Sequence, residues 1–98
     1  MQQQNKEMYT IRDINGNTII TINDDSRFMV LRDMDLRNAD FRNARLRYAK
    51  FIHCNVDGAD FRGADMLAGY IVQTDFKKAI IDHTTKFPTE QDFGPSFM

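Results

Sequence analysis

A single cysteine, Cys54, leaves this chain without an internal disulfide, and nothing in its cysteine usage points to secretion. No apolar run is long enough for a membrane span. The polar Met1–Lys6 start carries no signal-peptide pattern, so a cytoplasmic localisation is expected. No glycine-rich loop of the phosphate-cradling kind is present. Nor is there an excess of charge of one sign. Thirteen basic residues against 14 acidic ones give a net charge of −1, which disfavours a nucleic-acid binder. The length of 98 residues allows one small domain and no second core.

What the chain does have is a period of five. Every fifth residue from Leu31 to Ile81 is apolar, and from Ala39 to Ala79 a small residue usually stands two places before it. Read in fives, the stretch is MDLRN, ADFRN, ARLRY, AKFIH, CNVDG, ADFRG, ADMLA, GYIVQ, TDFKK, AIIDH. On an α-helix a step of five turns the apolar residue by roughly 140°, spreading these positions around the whole circumference. On a flat strand the same step throws successive apolar residues to opposite faces. Neither element buries the set. The chain must turn a corner about every five residues in one sense, and four corners close a coil of about 20 residues.

These units resemble the A(D/N)LXX repeats of the pentapeptide-repeat family, over ten consecutive units from Met34 to His83, about half the chain. The resemblance implies an all-β fold, a right-handed quadrilateral β-helix of about two and a half coils. The central residue and the small residue two before it would point inward, and the other three would face solvent. Residues 20 apart should then stack, which gives central columns Leu36, Val56, Phe76; Phe41, Phe61, Ile81; Leu46, Met66; and Phe51, Ile71. The small columns are Met34, Cys54, Thr74; Ala39, Ala59, Ala79; Ala44, Ala64; and Ala49, Gly69. Met34 breaks the rule where no earlier coil crowds it, and a buried Thr74 needs a hydrogen-bond partner.

Outside the core, Arg37, Asp57 and Lys77 should stack with alternating sign and Arg45 should lie over Asp65, pairs worth ~0–1 kcal/mol each. Arg42 over Arg62 needs Asp40, Asp60 or Asp82 nearby. Asn38, Asn43, Gly58 and Gly63 suit the left-handed position of a type II turn. Tyr48, His53, Gln73, Lys78 and His83 do not, and a different turn is expected on their corners. The first coil, residues 34–53, carries five basic and two acidic residues, while residues 54–83 carry three and five, so the rod is polarised along its axis.

The expected organisation is a disordered start at 1–7, a β-hairpin cap and lead-in at 8–30, the repeats at 31–83 and a C-terminal cap or tail at 84–98. Met8–Ile22 reads as a hairpin around a type I′ Asn15-Gly16 turn, with Ile11 facing Ile20 and Tyr9 facing Ile22. Its apolar face would cap the first coil. At the other end the pattern dissolves after Asp82. Thr84 and Lys86 would form one imperfect unit, Pro88 stops it, and Thr89–Asp92 resembles a capping box. Either this tail or another subunit would cover the open coil end.

No catalytic residue, cofactor or metal is expected, and the chain reads as a non-enzyme. His53 and Cys54 are adjacent but should point out and in respectively, which denies them the reach of a nucleophilic pair. His53 and His83 fall on different faces, and the repeated Asp residues belong to a solvated column. Two binding readings remain. Some pentapeptide-repeat proteins resemble a DNA duplex and act on DNA gyrase, but this rod would be ~12 Å long against ~34 Å for one turn of DNA, and its first coil is basic. The other reading is a protein-interaction module, self-associating as a homodimer or binding another protein, with no nucleic acid and no membrane. Its candidate surface is Tyr48, Ile52, Leu67, Tyr70 and Val72, outward positions where the repeat usually places polar residues, with Phe93 and Phe97 in the tail. Tyr70 should stack over Lys50, Leu67 over Arg47 and Val72 over Ile52. A bacterial or phage protein is the expected source.

Overall fold

The computed structural model describes residues 8–23 and 29–88. Strand β1 (Met8–Arg12) and strand β2 (Thr18–Asn23) form an antiparallel hairpin. Strands β3 (Val30–Arg32), β4 (Lys50–Ile52) and β5 (Tyr70–Val72) form a parallel sheet in the order β3-β4-β5. The described residues contain strands and no helix. The expected capping box Thr89–Asp92 and the tail residues Phe93 and Phe97 lie outside the described residues.

The five-residue period becomes a winding because partners stand 20 residues apart on every side. Leu31 aligns with Phe51 and Phe51 with Ile71. Asp35, Asn55 and Asp75 form a second ladder, Asp40, Asp60 and Ile80 a third, and Arg45 with Asp65 begins a fourth. The central residues Leu31, Leu36, Phe41, Leu46, Phe51, Val56, Phe61, Met66, Ile71 and Phe76 are all buried along the axis. Phe41 stacks on Phe61 at 4.8 Å between ring centroids and 16° between planes, and Phe61 meets Phe76 at 4.9 Å. Phe51 packs edge-on against Phe41, Phe61 and Phe76. Each such ring removes enough apolar area from water to contribute ~1.5–3 kcal/mol, with ~0.5–1.5 kcal/mol more for aromatic pair geometry.

The small residues act as predicted for a tightly wound corner. A Cβ on Gly69 would lie 2.4 Å from the Ala49 carbonyl oxygen, closer than atoms approach. Thr74, 3% exposed, finds the partner its burial demands. Its hydroxyl accepts the Cys54 N–H at 3.1 Å and donates to the Val72 carbonyl at 3.0 Å.

The corners overturn one expectation. Tyr48, His53 and Gln73 have φ of 69°, 55° and 48°, in the left-handed region with Asn38, Asn43, Gly58 and Gly63. Lys78 and His83 do not. The winding imposes this conformation, because the ladders above and below fix where each corner must leave, and burial of the central residues offsets a local cost of order 1–3 kcal/mol. The Tyr48 corner keeps the same backbone bond as the Asn and Gly corners, Ala49 N–H to Leu46 C=O at 3.0 Å, as Ala39 N–H does to Leu36 C=O. At the His53 corner the Cys54 N–H turns to Thr74 instead.

The hairpin register agrees with the sequence reading at Tyr9↔Ile22 and Ile11↔Ile20, but the turn does not. Only Gly16 has positive φ, at 89°, whereas type I′ needs it at both central residues. Gly16 N–H bonds to Asp13 C=O at 2.9 Å and Asp13 N–H to Asn17 C=O at 2.8 Å, a type I turn closed by a glycine bulge. The Asp13 carboxylate holds it by accepting the N–H groups of Asn15 and Asn17, both at 2.9 Å. The extra turn residue shifts Arg12 opposite Thr18, and a bulge at Ile19 restores the register. Ile19 and Ile20 thereby both pack against the core, and Ile11 is fully buried. Backbone bonds from Ile14 N–H to Asn38 C=O and from Asp40 N–H to Arg12 C=O tie the hairpin to the 38–40 side.

The end of the winding also departs from expectation. Ile81 is 44% exposed and does not complete the column of Phe41 and Phe61. Asp65 pairs with Lys86, a step of 21, so one extra residue bows the 81–85 segment outward. Asp82 C=O accepts the Thr85 N–H, and the Thr85 hydroxyl donates to Phe61 C=O at 3.0 Å. Phe87 then follows in the place above Met66 and packs edge-on against Phe76 at 5.5 Å.

Candidate interaction surface

The Asp that precedes many central residues organises its own unit. Asp35, Asp40 and Asp60 each accept the N–H two residues on and a two-pronged guanidinium bond from the Arg there. These bonds hold the three carboxyls below their ordinary range, Asp35 at about 2. They also resolve the stacked Arg42 and Arg62, since each has its own carboxylate at 2.9 and 2.6 Å. Asp60 is not solvated as the sequence suggested but 3% exposed, because ladder neighbours flank it and Arg62 covers it. Arg45 aligns with Asp65, yet the Asp65 ion pair goes to Arg47 at 2.8 Å.

His53 and Cys54 diverge. The imidazole Nδ1 meets Asp33 Oδ1 at 2.7 Å on the surface. The Cys54 thiol is buried, donates to Leu31 C=O at 3.1 Å, and has its pKa pushed up by burial. Among the described residues no three His, Cys, Asp or Glu side chains converge as a metal site would require. No helix among them is long and apolar enough to cross a membrane.

Of the exposed large apolar side chains, Val30 and Tyr70 lie on the β3–β5 sheet and Tyr48 at its edge, while Ile14, Ile80 and Ile81 lie elsewhere. Across the strands Val30, Lys50 and Tyr70 form one outward column, and Arg32, Ile52 and Val72 the next. Tyr70 is 53% exposed, Val30 46% and Tyr48 45%, while Ile52, Val72 and Leu67 are half-buried. Tyr48 stands at the corner before β4, its N–H bonded to Leu67 C=O at 3.1 Å, so Leu67 lies on the adjoining side. The structure thus brings Tyr48, Ile52, Tyr70 and Val72 to one face and its edge. Phe93 and Phe97 lie outside the described residues. Among the described residues the hairpin makes its backbone bonds to the 38–40 side, not to this sheet.

Sequence reasoning missed Val30, although a step of 20 back from Lys50 reaches it. It also missed the groove along the sheet's far border. Asp33, Asp35, Asp57 and Asp75 line it together with Arg37, His53, Cys54 and Gln73, enclosing about 820 Å³ open to solvent. These residues come from three successive passes of the chain, which is why no local motif announces them.

Parallel ladders stepped by 20 residues around a buried axis define a repeat protein of the solenoid class. Residues 30–63 match the family model described as pentapeptide repeats, in eight copies, so this segment is similar to the pentapeptide-repeat proteins. Such repeats imply a β-helix, in keeping with the strand-only described residues. Neither the curated proteins nor the solved structures give a significant match.

Proposed function

We propose that the chain is a non-enzymatic protein-interaction module whose contact surface is the β3–β5 sheet with Tyr48 and Leu67 at its edge. In this reading the repeats build a right-handed quadrilateral rod of about two and a half coils, divided as 8–30, 31–83 and 84–98, with the hairpin covering one end and either the tail or another subunit the other. Ladders on four sides support the shape, and the burial of Ile11, Ile19 and Ile20 against the core supports the hairpin's capping role. The observation that carries the function is the exposure of Tyr70, Val30 and Tyr48 together on one small surface. Solvated sheet faces favour polar residues, and clustered aromatics at the centre of a patch are what partners bury. The inward thiol of Cys54 and the engagement of the repeat carboxylates in their own turns support the non-catalytic part.

The test is the pair Tyr70→Ser with Val72→Ser, compared with the parent by light-scattering mass over a range of concentrations and by binding to a candidate partner. Loss of association with an unchanged fold is expected. Unchanged association would retire this surface.

A further inference from the structure

We infer that the segment docking on this surface is a basic, amphipathic stretch of another protein, with apolar side chains against the β3–β5 sheet and Lys or Arg side chains in the neighbouring acidic groove. The inference rests on the interaction-surface reading above and adds the chemistry of the partner. The sheet and the groove are continuous: Ile52 and Val72 of the outer column precede His53 and Gln73, which line the groove. Within it Asp33 meets the imidazole of His53, and Asp35 is bound by Arg37. Asp57 and Asp75 have no cation at ion-pair distance among the described residues; Asp75 accepts the Lys77 N–H and Arg37 acts on Asp57 only from further away. A largely apolar face therefore borders two carboxylates that have no ion pair among the described residues, a complement to a segment that is apolar on one side and positive beside it.

The cations of the sheet orient such a segment. Lys50 stands between Val30 and Tyr70, away from the groove, and repels a basic residue from that column, while Arg32 at the head of the outer column directs it toward Ile52 and Val72, beside Asp57 and Asp75. Size argues for a slender occupant. Three strands ~4.8 Å apart and three residues long offer roughly 14 by 10 Å, far below the ~800 Å² per partner of a stable globular interface. A second copy of the chain is thus a poorer fit than a single extended or helical segment that reaches both sheet and groove.

The experiment titrates the isotopically labelled full-length chain with an acetylated hexapeptide of alternating lysine and valine, and with its glutamate-valine counterpart, reading amide shifts at low salt. The lysine peptide should move the amides of Ile52, His53, Val72, Gln73 and Asp75 and saturate, and the glutamate peptide should not. Asp57→Asn with Asp75→Asn should weaken the lysine peptide about tenfold, and added salt should do the same. Equal response to both peptides, shifts centred elsewhere, or unchanged affinity in the Asp57/Asp75 variant would overturn the inference. Tyr70→Ser with Val72→Ser separates the two readings. If it abolishes binding while the Asp57/Asp75 variant has no effect, the surface stands and the basic partner falls. If only the Asp57/Asp75 variant weakens binding, both fall.

Discussion

Single positions here are constrained by what lies 20 residues away, so the effect of a substitution is read from the coil above or below. Gly69 is the sharpest case: its missing Cβ makes room for the Ala49 carbonyl, a backbone atom that cannot swing aside. Gly69→Ala should destabilise by about 1–3 kcal/mol, seen as a lower urea midpoint at unchanged slope. At Gly58 an added Cβ would strike the Asn38 side chain, a group that can rotate, but the residue also sits at φ 76°. Pairing Gly58→Ala with Asn38→Ala should relieve the clash and leave the conformational cost of alanine at both left-handed positions, whereas no such second change relieves the clash of Gly69→Ala. Asp60 illustrates the polar counterpart. It binds the Arg62 N–H, Nε and Nη2 at 3.1, 2.9 and 2.6 Å from a nearly dry position. Asp60→Asn at neutral pH should cost about 1–3 kcal/mol by leaving the guanidinium half-bonded, measured in the same urea titration.

Within the elements, hydrogen bonds of the corners are shared between successive passes. Thr74→Val keeps the volume and removes the hydroxyl, orphaning the Cys54 N–H. Hydrogen exchange should show that amide losing protection, with stability lower by about 1–3 kcal/mol, while Thr74→Ser retains both. A ladder that depends on position i and i+20 was legible from the sequence wherever the spacing is unbroken. The columns from Leu36 to Phe76 could be written down because inward residues must be apolar and their neighbours small. The end of the Phe41 column could not, since the extra residue before Lys86 leaves no compositional mark and Ile81 looks like any other central residue. The left-handed corners at Tyr48, His53 and Gln73 were hidden for a different reason: local preference is overruled by the position of the neighbouring ladders. The hairpin register was legible and its turn was not, because Asn-Gly serves both a type I′ turn and a glycine bulge. As for the surface, Tyr48, Ile52, Tyr70 and Val72 were visible as apolar residues in outward columns, whereas the acidic groove exists only once Asp33, Asp57 and Asp75 are wound together.

For the whole molecule, the repeated Asp–apolar–Arg unit makes stability a function of pH, and the sign follows from the direction of the shifts. Hydrogen bonds from Arg37, Arg42 and Arg62 hold Asp35, Asp40 and Asp60 below the ordinary 3.8, with Asp35 at about 2. The folded chain therefore binds fewer protons than the unfolded chain between about pH 4 and about pH 2, and stability is lost as the pH is lowered across that window. Above about pH 5 the contribution of these carboxylates is complete, so a thermal midpoint measured from pH 7 to pH 5 should be level with respect to them and should drop progressively below pH 4. Asp60→Asn supplies the control. An amide does not titrate, so the variant should lie below the parent at neutral pH and converge on it as the acid limb is descended. A constant gap between the two curves down to pH 2 would mean that the lost stability is packing rather than charge, and that the Asp–Arg pairs shape the corners without holding the winding together.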